Sequence, residues 1–386
     1  MKMKWSSPWI FIVLMGVVSL FADMTYEGAR SITGPFLGTL GASATIVGFV
    51  AGFGELMGYA VRLFSGVLAD STRKYWALTF IGYFTNLLAV PALALAGNWQ
   101  IAALLIILER TGKAVRNPPR DVMLSHATST IGYGKGFGIH EALDQIGAVT
   151  GPLIVGAVFY FSGKYSDSFA ILLIPALLAL SILVVSRIQY PDTGKFEKAA
   201  VESDFASLKK YYWLYLAAMA LIAAGYADFP LIAYHFTKTG QVPLHWIPVM
   251  YAVAMGVAAL AALVLGKYFD RYGRKTMIYS TLVALLFAPL VFTGNIYTAL
   301  AGMTCWGIGM GAQGSIVKAI LATMLHKNKR GTGFGVFNAT FGVFWFLGSF
   351  LMGWLYDVSI IWLIIFSVGI QIASLPLLIK ISGKRL

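Results

Sequence analysis

Gly66-Val67-Leu68-Ala69-Asp70-Ser71-Thr72-Arg73-Lys74 returns two hundred residues later as Gly266-Lys267-Tyr268-Phe269-Asp270-Arg271-Tyr272-Gly273-Arg274-Lys275. A second echo is independent of the first: Gly134-Lys135-Gly136-Phe137-Gly138 returns as Gly331-Thr332-Gly333-Phe334-Gly335. Gly151 and Gly156 come back as Gly348 and Gly353, at the same offset of 197. Paired loop signatures inside strongly apolar sequence read as a membrane bundle built twice.

Composition agrees. Of 386 residues, 58% are hydrophobic and only 12% charged, with a mean hydropathy of +0.76. A soluble domain carries roughly a quarter charged residues, so the chain reads as polytopic. Net charge is +13 and the pI about 9.6, a balance that in a soluble chain points to nucleic acid. The single cysteine, Cys305, leaves no disulfide frame and no thiolate metal cluster. The first apolar segment is too long for a signal peptide and another span follows it at once.

Apolar runs of about 20 residues predict an all-α fold of twelve transmembrane helices. Their approximate spans are 9–33, 43–69, 75–96, 99–121, 136–161, 168–188, 211–236, 245–267, 276–294, 296–325, 333–356 and 359–380. The polar stretch 189–210 divides a six-helix bundle over 1–188 from another over 211–386 and reads as a cytoplasmic linker. With both termini inside, twenty of the 29 lysines and arginines fall in inside segments, and Lys164 and Lys238 alone lie outside. That asymmetry is the positive-inside pattern of a multi-pass cell-membrane protein. Topology thereby accounts for the basic pI, and a nucleic-acid partner is not expected.

Twelve helices, a six-plus-six split and G-x-x-x-D-(x)-x-x-R-K after helices 2 and 8 resemble the major facilitator superfamily over the whole chain. Gly266, Asp270, Gly273, Arg274 and Lys275 match that family's loop signature. The first copy lacks one residue and the second glycine, so its turn must differ. The resemblance implies a cytoplasmic gate made of Asp70, Arg73, Arg116, Arg120, Asp270 and Arg274, with Asp70 meeting Arg116 or Arg120. Helix capping by the two aspartates is the plainer alternative. Helix 5 carries Gly138, Gly147, Gly151, Pro152 and Gly156, which resemble G-x8-G-x3-G-P-x3-G of the antiporter branches, although Val155 stands where that pattern has glycine. Arg110, followed by Gly112, resembles the family's buried helix-4 arginine, which is linked to proton coupling.

Charges inside the spans carry the rest of the reading. An ionisable group in the bilayer core costs at least about 2.5–3.5 kcal/mol on insertion scales, so each needs a partner or a wet cavity. Helix 1 places Asp23, Glu27 and Arg30 on one face; helix 2 repeats the arrangement with Glu55, Tyr59 and Arg62. Helix 4 carries Glu109, Arg110, Lys113, Arg116 and Arg120, and helix 5 His140, Glu141 and Asp144. The second half is poorer, with Asp228, His235, Gln313, Lys318 and Asn338, and reads as an apolar, aromatic wall. Asp23 and Glu55 are the preferred proton carriers, Arg110 their switchable partner and Glu109 the runner-up. The competing reading is a set of structural pairs: Glu27 with Arg30, Glu55 with Arg62, Glu109 with Lys113, Asp144 with Arg116. Residues 112–121 lack the glycine five places before the lysine and the following Ser or Thr of a phosphate loop, and Pro118-Pro119 are expected to end helix 4.

The expectation is a secondary transporter, active as a monomer without cofactor or resident metal. It would move a small molecule or ion across the bilayer by alternating access, with proton-coupled export in first place. A uniporter or symporter of a small solute or metal ion is the alternative, and a non-transporting membrane sensor a more distant one. No nucleophile, base and orienting group converge by spacing, so an enzyme is not expected.

Overall fold

The computed structural model describes residues 7–128, 133–192, 210–324 and 330–382; the side chains of 133–135, 210, 270, 318, 319, 322, 323 and 330–334 are not described. Most of the expected linker, the Asp270 carboxylate and the Lys318 ammonium therefore lie outside the described residues. Fifteen α-helices are present among them: α1 (Pro8–Thr39), α2 (Ala44–Thr72), α3 (Tyr75–Ala92), α4 (Trp99–Thr128), α5 (Tyr133–Ser162), α6 (Tyr165–Ala170), α7 (Leu173–Gln189), α8 (Lys210–Gly225), α9 (Phe229–Thr239), α10 (Ile247–Tyr272), α11 (Lys275–Ala284), α12 (Phe287–Phe292), α13 (Ile296–Met324), α14 (Arg330–Val358) and α15 (Ile360–Ser382). Three pairs run end to end as single spans: α6–α7 over Tyr165–Gln189, α8–α9 over Tyr211–Thr239 and α11–α12 over Lys275–Phe292. The fold is thus an all-α bundle of twelve spans. Ten are apolar and long enough to cross a membrane on composition alone. In α4, Glu109, Arg110, Lys113 and Arg116 break the apolar run.

The chain forms two compact units, one from residues 1–32 and 57–200, the other from 33–56 and 201–386. The division runs through α1 and α2 rather than through a loop. In the first unit α3 packs along α4 and next to α7, around a core that includes Phe11, Met15, Trp76, Tyr83, Leu124 and Leu183. In the second, α10 packs along α13, and α8 against α14 and α15.

The duplication is visible in the packing. A Cβ added at Gly151 of α5 would overlap the Met24 carbonyl of α1, and one added at Gly348 of α14 would overlap the Ala224 carbonyl of α8. Each unit therefore brings a corresponding helix pair to backbone contact, which only a residue without a side chain permits.

Two elements differ from the sequence expectation. Pro118 and Pro119 do not end α4, which continues to Thr128. Proline at 119 cannot donate to the Val115 carbonyl four residues back; the Ser65 hydroxyl of α2 donates to it instead, at 2.6 Å. The span over Tyr211–Thr239, expected to be continuous, is broken at Tyr226–Asp228. Pro230 opens the second piece at a position where its missing N–H is harmless.

The two loop signatures also close differently. Gly273 stops α10 with its N–H on Phe269 O at 2.7 Å, and Arg73 stops α2 with its N–H on Ala69 O at 2.8 Å. Gly273 has φ +58°; Arg73, at φ +52°, is the one non-glycine residue with positive φ among the described residues. The left-handed region costs a side-chain-bearing residue about 1–2 kcal/mol, while glycine loses about 0.5–1 kcal/mol of chain entropy. Arg73→Gly is expected to stabilise the purified protein by about 0.5–1 kcal/mol. Thermal unfolding in detergent measures it, and a lower midpoint would show that the arginine side chain outweighs the strain.

Candidate functional site

The first unit gathers intramembrane acids and cations from α1, α4 and α5. Asp23 lies midway along α1 and is 8% exposed, and Glu27 one turn on is equally buried. Asp23 makes no hydrogen bond or ion pair among the described residues, yet it lies in the field of Asp144, Lys113, Arg116 and Glu27. The Lys113 ammonium stands 4.0 Å from Glu27 Oε1 and 3.7 Å from the centre of the Tyr26 ring.

Arg116 is completely buried. Its guanidinium lies 4.2 Å from the centre of the Tyr83 ring and 5.8 Å from that of Tyr26. Its Nε and Nη1 have no hydrogen-bond partner among the described residues. Two aromatic faces therefore hold the charge in place of a carboxylate, an attraction worth about 2 kcal/mol when desolvated.

Deeper in α4 the grouping is tighter. Arg110 Nε is 3.3 Å from Glu109 Oε2. The fully buried Asn86 of α3 donates through Nδ2 to the Glu109 carbonyl at 3.0 Å and to its carboxylate at 2.8 Å. On the other side of Asp23, Arg120 donates to Ser19 Oγ at 3.1 Å while holding Asp121 at 2.8 Å. Ser19 Oγ is in turn 3.0 Å from His140 Nε2, and His140 Nδ1 is 3.4 Å from Asp144 Oδ2. With Nδ1 protonated, this hydrogen-bonded row runs unbroken from Arg120 to Asp144. Asp144 Oδ1 has no hydrogen-bond partner among the described residues.

Several sequence expectations are corrected here. Arg110 does not stand free as a switchable cation; it is tied to Glu109. Glu109 pairs with Arg110 and not with Lys113, and the pairing found for Asp144 is with His140, one turn away on the same helix, and not with Arg116. Glu141 is outside the cluster, exposed and accepting from Gln145 at 3.1 Å. Asp70 is exposed and makes no ion pair among the described residues. Arg116 and Arg120, its expected partners, are engaged as described above.

Tyr59 and Arg62 belong to the first unit, Arg62 lying 5.9 Å from the Tyr59 ring centre. With the Asn117 amide donating to Lys113 O, its oxygen accepts from Arg62 Nη2 at 3.3 Å. Glu55, half-buried, falls in the second unit. Arg274, also in the second unit, reaches Ile381 O in the last turn of α15 at 3.5 Å. Arg30 is half-buried in α1.

Tyr26, Tyr83, Asn86 and Ser19 were not among the residues expected from the sequence. Asn86, a lone amide in an apolar helix, was the available signal. In the second unit the sequence reading missed the broken helix. Asp228 beside the break accepts from Trp345 Nε1 at 3.0 Å. The loosened backbone is satisfied by side chains: Trp306 Nε1 donates to Ala227 O at 2.9 Å, and Ser367 donates to Gly225 O at 2.6 Å. Tyr226 caps the Trp306 carbonyl. Irregular backbone at membrane depth is tolerated where protein supplies its hydrogen bonds.

Asn86→Ala removes both donors to Glu109 and leaves a buried carboxylate half-solvated. It is expected to destabilise the protein by about 1–3 kcal/mol, and an unchanged thermal midpoint would show that Arg110 alone satisfies Glu109.

The profile of the Major Facilitator Superfamily matches residues 12–237 and 212–384. An uncharacterized protein of Mycobacterium tuberculosis is 38% identical over 386 residues, covering 98% of this chain and 94% of its own. A Multidrug resistance protein MdtH of Photorhabdus laumondii is 24% identical, covering 84% of this chain and 81% of its own. Among solved structures, a point mutant of the nucleoside transporter NupG superposes with a TM-score of 0.78 at 14% identity, covering 95% of this chain and 99% of that one. A bacterial homologue of the lysosomal transporter Spinster, inward-facing and unoccupied, superposes with a TM-score of 0.71 at 12% identity, covering 97% and 95%. Fold, repeat and profile agree: the chain belongs to the Major Facilitator Superfamily, a family of membrane transporters.

Proposed function

We propose that the protein exports a small solute in exchange for protons by alternating access, with both termini on the cytoplasmic side and the halves 1–188 and 211–386 rocking as units. The observation that carries this reading is Asp23: a buried carboxyl midway along α1, with no hydrogen bond among the described residues, in the field of two acids and two cations. Such a group gains or loses a proton according to which neighbours face it, so its charge follows conformation. Arg116 takes the role of switchable cation, because its guanidinium has donors to spare while Arg110 is committed to Glu109. Lys113 and Glu27, at 4.0 Å, are close enough to feel each other and too far apart for a tight pair. His140, Ser19 and Asp144 line a route along α5 for the proton. The export direction draws support from the helix-5 glycines, which resemble the antiporter pattern, and from the multidrug-resistance relative.

Proteoliposomes enclosing a pH-sensitive dye test the reading. Lipophilic cations such as ethidium and small organic acids are offered one at a time under an imposed pH gradient. A transported compound is expected to change lumenal pH as it moves. Asp23→Asn is expected to reduce that response at least about ten-fold, the loss of one protonatable group that holds the coupling. Asp167→Asn, at an exposed position, should leave it intact. Solute movement without a pH response would make the protein a uniporter. A full response in Asp23→Asn would remove Asp23 from the coupling.

A further inference from the structure

The second unit contains a contact that the transport reading leaves unused. Residues 33–56, the end of α1 and the start of α2, belong to it, and α2 begins there with a fully satisfied first turn. Ser43 Oγ accepts from Ile46 N–H at 3.3 Å, an ordinary cap from the helix's own flank. The two N–H groups before it are taken by a different helix: Asp357 Oδ1 accepts from Ala44 N–H at 3.2 Å and Oδ2 from Thr45 N–H at 2.8 Å. The Thr45 hydroxyl donates to the same oxygen at 2.6 Å. One carboxylate from α14 thus closes the start of α2 with three hydrogen bonds.

Asp357 sits in the last turn of α14, where the partial charge of its own helix is negative and a carboxylate is disfavoured. The positive start of α2 reverses that sign. The carboxylate is therefore badly placed for α14 alone and well placed for an α14–α2 contact. Below it the helices meet closely. A Cβ on Gly48 would overlap Ser349 O, and one on Gly353 would overlap Ala44 O. Phe49 stacks on Phe53 at 5.4 Å and meets Phe346 edge-on at 5.7 Å. The Asp357 end of this contact is exposed, so water can re-solvate both partners when it parts. A buried charge pair would not release so readily.

We propose that Asp357 is the latch of an outer gate, holding the start of α2 on α14 while the outer side is closed and letting go when that side opens. This rests on the alternating-access reading and on termini that face the cytoplasm, which place the α1–α2 turn outside. Loss of the carboxylate shifts the population toward the outward-open state without touching the buried cluster of the first unit.

The test uses the full chain with Cys305→Ser and one reporter, Ser349→Cys, at a position 1% exposed beneath the latch. Intact cells are treated with a membrane-impermeant maleimide. Labelling of the reporter thiol is expected to be slow in the parent and about ten-fold faster in Asp357→Ala, the step that one charged hydrogen-bonded contact supplies. Asp357→Asn, which keeps one acceptor, should fall between, and Thr45→Val should show a smaller increase. Should Asp357→Ala fail to fold, these last two variants carry the test. Gly48→Leu, which wedges the contact sterically, calibrates the reporter. Fast labelling in Gly48→Leu with parental rates in every Asp357 and Thr45 variant overturns the latch and leaves alternating access standing. Slow labelling in Gly48→Leu as well shows that this contact never parts, and alternating access at this end falls with the latch.

Discussion

An ionised side chain in a bilayer must find compensation inside the protein, and much of the first unit follows from that requirement. Helix α4 carries Glu109, Arg110, Lys113, Arg116, Arg120 and Asp121 within one helix. Its neighbours are shaped to accept it. Helix α3 offers an amide to Glu109 and the Tyr83 ring to Arg116, α1 offers Tyr26, Glu27 and Ser19, and α2 offers Ser65 to the carbonyl that Pro119 leaves open. The compensation is uneven. Glu109 and Arg110 are bonded directly, while Asp23 is not and Arg116 rests on ring faces. Groups that are fully paired hold a structure in place, and groups that are incompletely paired are the ones a proton or a solute can reassign.

The second unit uses the same packing with a different chemistry. Gly151 on Met24 and Gly348 on Ala224 show one backbone contact inherited twice. Around it fewer charges remain, the buried Asp228 among them, and a broken helix stands in α8–α9 with Tyr226, Phe229, Trp306 and Trp345 about the break. Tyr226 lies 5.8 Å from Trp306 and 5.9 Å from Trp345, each bringing a donor as well as a ring. Indole N–H and phenol O–H groups suit this place, because they satisfy carbonyls without bringing a net charge into the membrane.

Much of the fold was legible from residue order alone. Twelve spans, the repeat and the family could be read from hydropathy and two loop signatures, because lipid admits few alternatives to a complete helix. The acids and bases of α1 and α4 were legible too, since charges in apolar runs stand out. Their pairing was not. Glu109 had cations one and four residues along; Arg110 holds one carboxylate oxygen, and Asn86 arrives from α3 to hold the other. Arg116 was expected to meet an acid, and instead two tyrosines from other helices surround it. The double proline failed as a stop signal because Ser65, fifty residues away, supplies the missing hydrogen bond. For Arg116 and the double proline, partners far off in sequence decided what a local pattern could not; for Glu109 and Asp144 the partner found lies on the same helix.

Magnitudes set how such a molecule could change state. Driving a two-state equilibrium from one extreme to the other takes about 5.5 kcal/mol. A hydrogen bond to a charged group contributes about 1.5–3 kcal/mol, and a proton gained or lost across one pKa unit about 1.4 kcal/mol. Three hydrogen bonds to a carboxylate on α14 and the proton of a buried acid on α1 thus act on the same scale as that equilibrium. A transporter needs that proximity of scales, since a contact much stronger than the proton's contribution would lock one state and one much weaker would let solute leak without exchange. Asp357 at an exposed helix end and Asp23, with no hydrogen bond among the described residues, are both of the moderate kind, and under the proposed exchange a coupled cycle is built from moderate terms.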